Sequence, residues 1–125
     1  MTLPAVASAF LTALQERDVP AVLRCLHDDA TYAYAVPLPA LRGKDAIGAM
    51  LKELLDEAEA VRWDVVAASL DGERLWWERV DRFWFDGREV AIECAGVVEV
   101  RDGLIAELRD YVDLQTWRER KGAAA

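Results

Sequence analysis

The sequence predicts an α+β fold in which three amphipathic helices, all in the first half of the chain, cover one face of an antiparallel β-meander. Two observations carry this reading. Apolar residues recur every three or four positions as far as residue 59, and from Val61 onward the period drops to two. Within that second stretch Asp71-Gly72, Asp86-Gly87 and Asp102-Gly103 separate β-favourable runs, and Asp-Gly is a strong two-residue hairpin signal. A meander must have its apolar face covered, and the preceding helices are the available cover.

The elements follow in order. Leu3, Val6, Phe10 and Leu14 give a first helix over residues 3–17. Asp18 can cap a second helix with Pro20 in its first turn, and Val22, Leu23, Cys25 and Leu26 form its buried stripe up to His27 and Asp28. Residues 30–36 read as a strand closed by Pro37 and Pro39. Gly43 precedes a third helix over 45–59, whose apolar face is Ile47, Met50, Leu51, Leu54 and Leu55. Four strands are expected at 61–70, 74–86, 88–100 and 104–113. A chain of 125 residues is too short to divide, so one domain is expected over 1–120, with 121–125 a disordered tail.

Composition removes several classes of function. A net charge of -8, with 15 basic residues scattered among 23 acids, repels a phosphate backbone, so no nucleic-acid partner is expected. No apolar run approaches the roughly 20 residues of a membrane span. Residues 3–14 lack the basic leader of a secretion signal, which points to a cytoplasmic protein. Cys25 and Cys94 lack metal-type spacing and read as reduced core thiols. With His27 the only histidine, expected at a helix terminus, no metal site is expected.

The chemistry lies in the strands. Alternation places Leu75, Trp77, Arg79, Asp81, Phe83 and Phe85 on one face of the second long strand. Leu104, Ala106, Leu108, Asp110 and Val112 share a face of the last one. The strand between them presents Val90, Ile92, Cys94, Gly96, Val98 and Val100, with Gly96 leaving space for a ligand or a neighbouring ring. Arg79, Asp81 and Asp110 thus interrupt apolar rows that face a core. A buried guanidinium needs one ionised carboxylate, and the second acid then meets a like charge in a low dielectric, so its pKa should rise. The result is a general base beside a general acid, or else a salt-bridged triad that fixes sheet register. The pocket is expected to be lined by Trp77, Phe83, Ile92, Gly96 and Leu108. Arg109 and Asp113, on the opposite face, read as a solvated pair.

Glu78-Arg79-Val80-Asp81, followed by Leu108-Arg109-Asp110-Tyr111-Val112-Asp113, resembles the Glu-Arg-x-Asp and Trp-Arg-Asp-Tyr-Phe-Asp motifs of the limonene epoxide hydrolase family. Pro37-Leu38-Pro39 and Arg42-Gly43-Lys44-Asp45-Ala46 match that family's loop and third-helix start. The resemblance implies a cone-shaped fold, shared with nuclear transport factor 2, ketosteroid isomerase and polyketide cyclases. In it the helices occupy the concave face of a curved, mainly antiparallel sheet. It implies hydrolysis of a small apolar epoxide to a vicinal diol without a cofactor or a covalent intermediate. Carried over, Asp110 is the base that activates water, Asp81 the acid that protonates the oxirane oxygen and Arg79 the bridge. The family also holds the water with a Tyr and an Asn two residues apart, positions that align here with Ala33 and Ala35. Alternation then turns Tyr32 and Tyr34 away, unless a bulge brings Tyr34 inward to the water site.

Alternative readings keep the same acids in an epoxide-opening cyclase or an isomerase, or treat the cone as a non-catalytic ligand-binding protein. Trp76, Val80 and Trp84 lie opposite the active-site row and predict a homodimer packed through that surface, unless the segment bearing Trp117 covers it.

Overall fold

The chain folds around one six-stranded sheet. This computed structural model describes residues 2–122. The helix α1, Ala5–Gln15, buries Ala7, Phe10, Ala13 and Leu14, as its periodicity requires. The helix α2, Val19–Arg24, begins where the Asp18 side chain accepts the Ala21 N–H at 3.0 Å. It is shorter than expected, because the chain straightens at Leu26 to enter β1, Leu26–Ala33. His27 therefore lies in a strand and not at a helix terminus, with its Nε2 2.5 Å from the Arg101 carbonyl.

A two-residue strand that the sequence did not signal, β2, Leu41–Arg42, leads into α3, Gly43–Glu57. The meander follows as β3, Ala60–Asp71; β4, Arg74–Phe85; β5, Arg88–Arg101; and β6, Leu104–Tyr111. The sheet order is β2-β1-β6-β5-β4-β3. All neighbours are antiparallel except β1 and β6, which run parallel. The sheet curves round the helices, which is the expected α+β cone.

The hairpins obey their turn chemistry, with one shift of register. Asp86-Gly87 and Asp102-Gly103 have both residues at positive φ, from 50° to 76°, as a type I′ turn demands. Asp71 instead stays in the ladder opposite Arg74, and the first turn is Gly72-Glu73, with Gly72 at φ 62°. A bulge between the Glu99 and Val100 pairings leaves Ala106 out of the β5–β6 ladder. It reverses the faces of β6 upstream, so Ile105 is buried where Leu104 and Ala106 were expected.

The last element, α4, Leu114–Gly122, was not foreseen, because only Leu114 and Trp117 in it are apolar apart from the small glycine. Asp113 caps it, its side chain accepting the Gln115 and Thr116 N–H groups at 3.0 and 3.2 Å. Lys121 and Gly122 belong to this helix; the rest of the expected tail, 123–125, lies outside the described residues. Asp113 is thus a cap and not the partner of Arg109, whose guanidinium pairs with Glu99 at 3.2 Å and Glu107 at 2.8 Å. No helix among the described residues is long and apolar enough to cross a membrane.

Candidate active site

The sheet carries the site and the helices roof it. β4 alternates strictly between buried and outer residues from Leu75 to Phe85, so Arg79 and Asp81 both face the core. Asp110 sits on β6 opposite Gly96 of β5, which in turn pairs with Trp77 of β4. Arg79 must therefore reach across β5 to meet Asp110. It can do so because Gly96 and Cys94 present no bulk there.

The three charges meet with little solvent. Arg79 is 1% exposed, Asp81 5% and Asp110 4%. Arg79 donates Nε to Asp81 Oδ1 at 2.9 Å and Nη2 to Asp81 Oδ2 at 2.8 Å. Its other contacts run from Nη1 to Asp110 Oδ1 at 3.1 Å and from Nη2 to Asp110 Oδ2 at 3.2 Å. One guanidinium thus forks onto two carboxyl groups, the planar geometry that arginine provides and lysine cannot. Its central carbon also lies 4.2 Å from the Trp63 ring centroid and 5.1 Å from that of Trp77, which adds attraction to the ring faces.

Burial works against the Arg79 charge, but Asp110 and Asp81 outweigh it and hold its pKa well above the ordinary value. The arginine is a fixed cation. Burial raises the Asp81 carboxyl above the usual aspartate range, and Arg79 offsets only part of that. Burial also pushes the Cys94 thiol up to about 12, so the group beside Arg79 Nη2, at 3.3 Å, is a neutral thiol. Both cysteines are free and buried, as expected of core thiols.

Tyr32 of β1 and Tyr34 just beyond it overturn one expectation. Tyr32 is buried and donates its hydroxyl to Asp110 Oδ2 at 2.6 Å. Burial, and then the Asp110 charge, hold the phenol protonated well above its ordinary pKa, so it remains a donor. Ala33 does not face the pocket. The β1–β6 register shifts between Leu26 and Thr31, after which Tyr32 stands beside Leu108 and within reach of Asp110. A strand aligned one residue off has every side chain on the wrong face, and the Ala33/Ala35 alignment was off in that way. The Tyr32 and Tyr34 pair, two residues apart, lines the pocket instead.

That pocket is a cavity of about 110 Å³ lined by Asp81 and Asp110 together with side chains of α3 and α4. Of the expected lining, Tyr34, Phe83 and Ile92 are present. Trp77, Gly96 and Leu108 are not. Leu108 is buried in the core behind the site. Gly96 makes room for protein: a Cβ there would sit 2.7 Å from Asp110 Oδ1 and 2.8 Å from Trp77 Nε1. Of the two uses open to that space, a neighbouring ring is the one realised. The sequence reading did not bring Tyr32 or the roof residues Met50, Leu54 and Leu114 to the site; it put Cys94 on the core-facing row, and left Trp63 and Trp117 among five tryptophans that read as a pocket wall or an interface. Among those not brought there, only Tyr32 left a readable trace, as a polar aromatic in a small-residue strand.

The protonation argument has a measurable sign. Because the Asp81 pKa is raised, the folded protein keeps that proton to higher pH than the unfolded chain. The stability it brings is complete below the ordinary aspartate range and is lost as pH rises through the raised value. Asparagine at this position does not titrate. The melting temperature of Asp81→Asn relative to wild type should therefore climb in calorimetry as pH rises above the ordinary aspartate range. Arg79→Leu, which strands two buried acids, should lose about 3–5 kcal/mol at neutral pH. Equal shifts for the two variants would contradict the cluster as described.

The comparisons with known proteins agree with this architecture. An LEH-like epoxide hydrolase of M.tuberculosis superposes with a TM-score of 0.81 at 28% identity, over 98% of this chain and 92% of that one. A hypothetical protein from Catenulispora acidiphila with a ketosteroid isomerase-like fold gives 0.83 at 21% identity, over 97% and 95%. A putative SnoaL-like polyketide cyclase from Shewanella putrefaciens gives 0.82 at 16%, over 94% of each chain. The last two likenesses show the fold alone. No curated protein sequence matches. The SnoaL-like domain profile matches residues 7–108, most of the chain, and on that span the protein belongs to the SnoaL-like domain family.

Proposed function

We propose that the protein is a cofactor-independent epoxide hydrolase that adds water to a small apolar epoxide in one step. The observation that carries this reading is the double fork of Arg79 onto Asp81 and Asp110, two buried acids that line one otherwise apolar cavity. One cation and two acids leave a proton to be shared, and Asp81, with its raised pKa, is the acid that keeps it. Asp110 receives the Tyr32 hydroxyl and two Arg79 N–H groups and is the base.

In the proposed reaction Asp110 takes a proton from water as the water oxygen attacks an oxirane carbon. The C–O bond breaks, and Asp81 delivers its proton to the departing oxygen. Arg79 touches both acids and stays a cation throughout, so its charge offsets the ionised carboxyl as Asp110 gains a proton and Asp81 loses one. Tyr32 holds Asp110 in place, and the Tyr34 side chain, which lines the cavity, is placed to orient the water or the substrate. The M.tuberculosis likeness at 28% identity supports this choice over other chemistries of the fold.

Asp110→Asn should lower epoxide turnover by about 10²–10⁴ while leaving the fold intact. Asp81→Asn should cost a similar factor, and the double variant should lose less than the product of the two. In ¹⁸O-labelled water under single-turnover conditions, the first diol formed should carry the label. Unlabelled first-turnover diol would mean that a carboxylate had attacked. An unlabelled cyclic ether would mean that the substrate's own hydroxyl had, the cyclase chemistry, with Tyr34 in place of a water-holding amide as its explanation.

We further propose a homodimer through the outer face of the sheet. Val66, Leu70, Trp76 and Tyr111 are large apolar side chains left exposed, and an open groove of about 340 Å³ runs between Ala67, Trp76, Ala95 and Tyr111. Trp117 packs on Phe83 and Phe85 on the other side and does not cover this face. The buried free thiols suit the reducing cytoplasm in which we place the protein. Sedimentation at micromolar concentration should give twice the 14.0 kDa chain mass, and Trp76→Glu should restore the single mass.

A further inference from the structure

The cavity is closed by an element unlike the rest of the fold. The floor belongs to a continuous ladder of β4, β5 and β6, and the α3 wall buries Leu51 and Leu55. The α4 wall buries no residue at all. What holds α4 down is the packing of Trp117 on two rings, the Lys121 ammonium 4.9 Å over the Phe85 ring and two surface ion pairs. Trp117 meets Phe83 edge-on at 5.1 Å and Phe85 at 6.1 Å. Arg120 pairs with Glu93 of β5 at 2.8 Å and donates to the Ala91 carbonyl at 2.9 Å, while Lys121 pairs with Glu57 at the end of α3. The two anchors stand on different elements, so the helix spans the cavity mouth from β5 to α3.

Exposed ion pairs of this kind hold weakly, each contributing about 0–1 kcal/mol. An element so attached belongs to the low-stability end of a fold and opens locally without the sheet. Yet it supplies Leu114 and Trp117 as walls, and with them in place the cavity is about 110 Å³. An apolar cavity of about 150 Å³ holds a benzene molecule. With α4 in place the site is therefore of single-ring scale at most, too small for the fused polycycles that the cone without α4 could admit.

We propose that α4 is a size gate, and that Trp117 is the residue that restricts the site to substrates of about one ring. This deepens, and rests on, the reading of the cavity as a small-epoxide site. Substrate enters when α4 lifts from Glu57 and Glu93, and Trp117 excludes from the closed state whatever is too large to fit beneath it. Trp117 is a specificity residue: it lines the cavity through its contacts with Phe83 and Phe85 and has no group that exchanges a proton in the reaction.

The test uses the full chain and two unreactive alcohols of different bulk, cyclohexanol and 1-adamantanol, with dissociation constants read by ligand-observed NMR. Wild type should favour cyclohexanol, and Trp117→Ala should shift the preference toward adamantanol by about tenfold. The double variant Arg120→Glu/Lys121→Glu leaves the cavity lining intact and should shift the preference in the same direction by loosening the helix. If Trp117→Ala does not melt cooperatively, this charge-reversed variant decides alone. An unchanged preference in the folded variants, or no binding of either alcohol to wild type, overturns the gate. The outcomes for the gate and for the chemistry stay separate. A shifted preference with no turnover of cyclohexene oxide supports the gate and removes the hydrolase reading. Turnover with an unchanged preference does the reverse.

Discussion

The rest of the structure is arranged around the placement of a guanidinium inside an apolar cone. A charge removed from water costs several kcal/mol unless it is met by counter-charge and its donors are used. Arg79 satisfies both conditions through a local partner and a distant one. Asp81 lies two residues along the same strand, which strand alternation supplies without further design. Asp110 lies two strands away, and reaching it constrains everything between. β5 must be small at Gly96 and Cys94, Trp77 must fold over Gly96, and β6 must be in register to set Asp110 opposite that glycine. The Ala106 bulge separates this register from the outer end of the hairpin, so the site's alignment is not dictated by the Asp102-Gly103 turn.

Arg79 also fixes what the site can do. If both acids were ionised the cluster would carry one net negative charge in a medium of low dielectric; if one keeps a proton the cluster is neutral. Burial favours the second arrangement, and the raised Asp81 pKa is its signature. Tyr32 then breaks the symmetry between the two carboxyl groups. Its hydroxyl is a donor held protonated by burial, and it is spent on Asp110 and not on Asp81. Two residues of one type thus meet two environments, because one neighbouring strand reaches one of them.

Much of this was legible in the sequence, and the parts that were not share a physical reason. The alternation of β4 is uninterrupted, and it placed Arg79 and Asp81 correctly from residue order alone. The Asp-Gly dipeptides announced the meander, and only the first turn slipped by one residue, because Gly72 can serve the first position of a two-residue turn as well as the second. Errors gathered where register is set by pairing and not by pattern. The β1 strand joins β6 in parallel through an irregular stretch, so the facing of Tyr32 depends on a partner nearly eighty positions away. Leu104 and Ala106 were misplaced by a bulge that leaves no mark in composition. The helix α4 was unreadable for a different reason, since two apolar residues three apart do not make a period.

The contrast between floor and roof bears on how such a site can be both accurate and accessible. Acid and base must hold their separation through a reaction, and residues on paired strands whose donors are saturated do so. A small apolar substrate must still reach them beneath the helices. A stiff roof would prevent entry, and a stiff roof is what an apolar helix face packed into the core would have produced. The composition of α4, mostly polar and tethered through Arg120 and Lys121, avoids that outcome. Helix stability in proteins comes mainly from a packed apolar face, so a helix with so little of one must stay marginal. The weakest attached element, α4, is thus the entrance we propose, just as the charges in apolar strand rows carry the chemistry we propose.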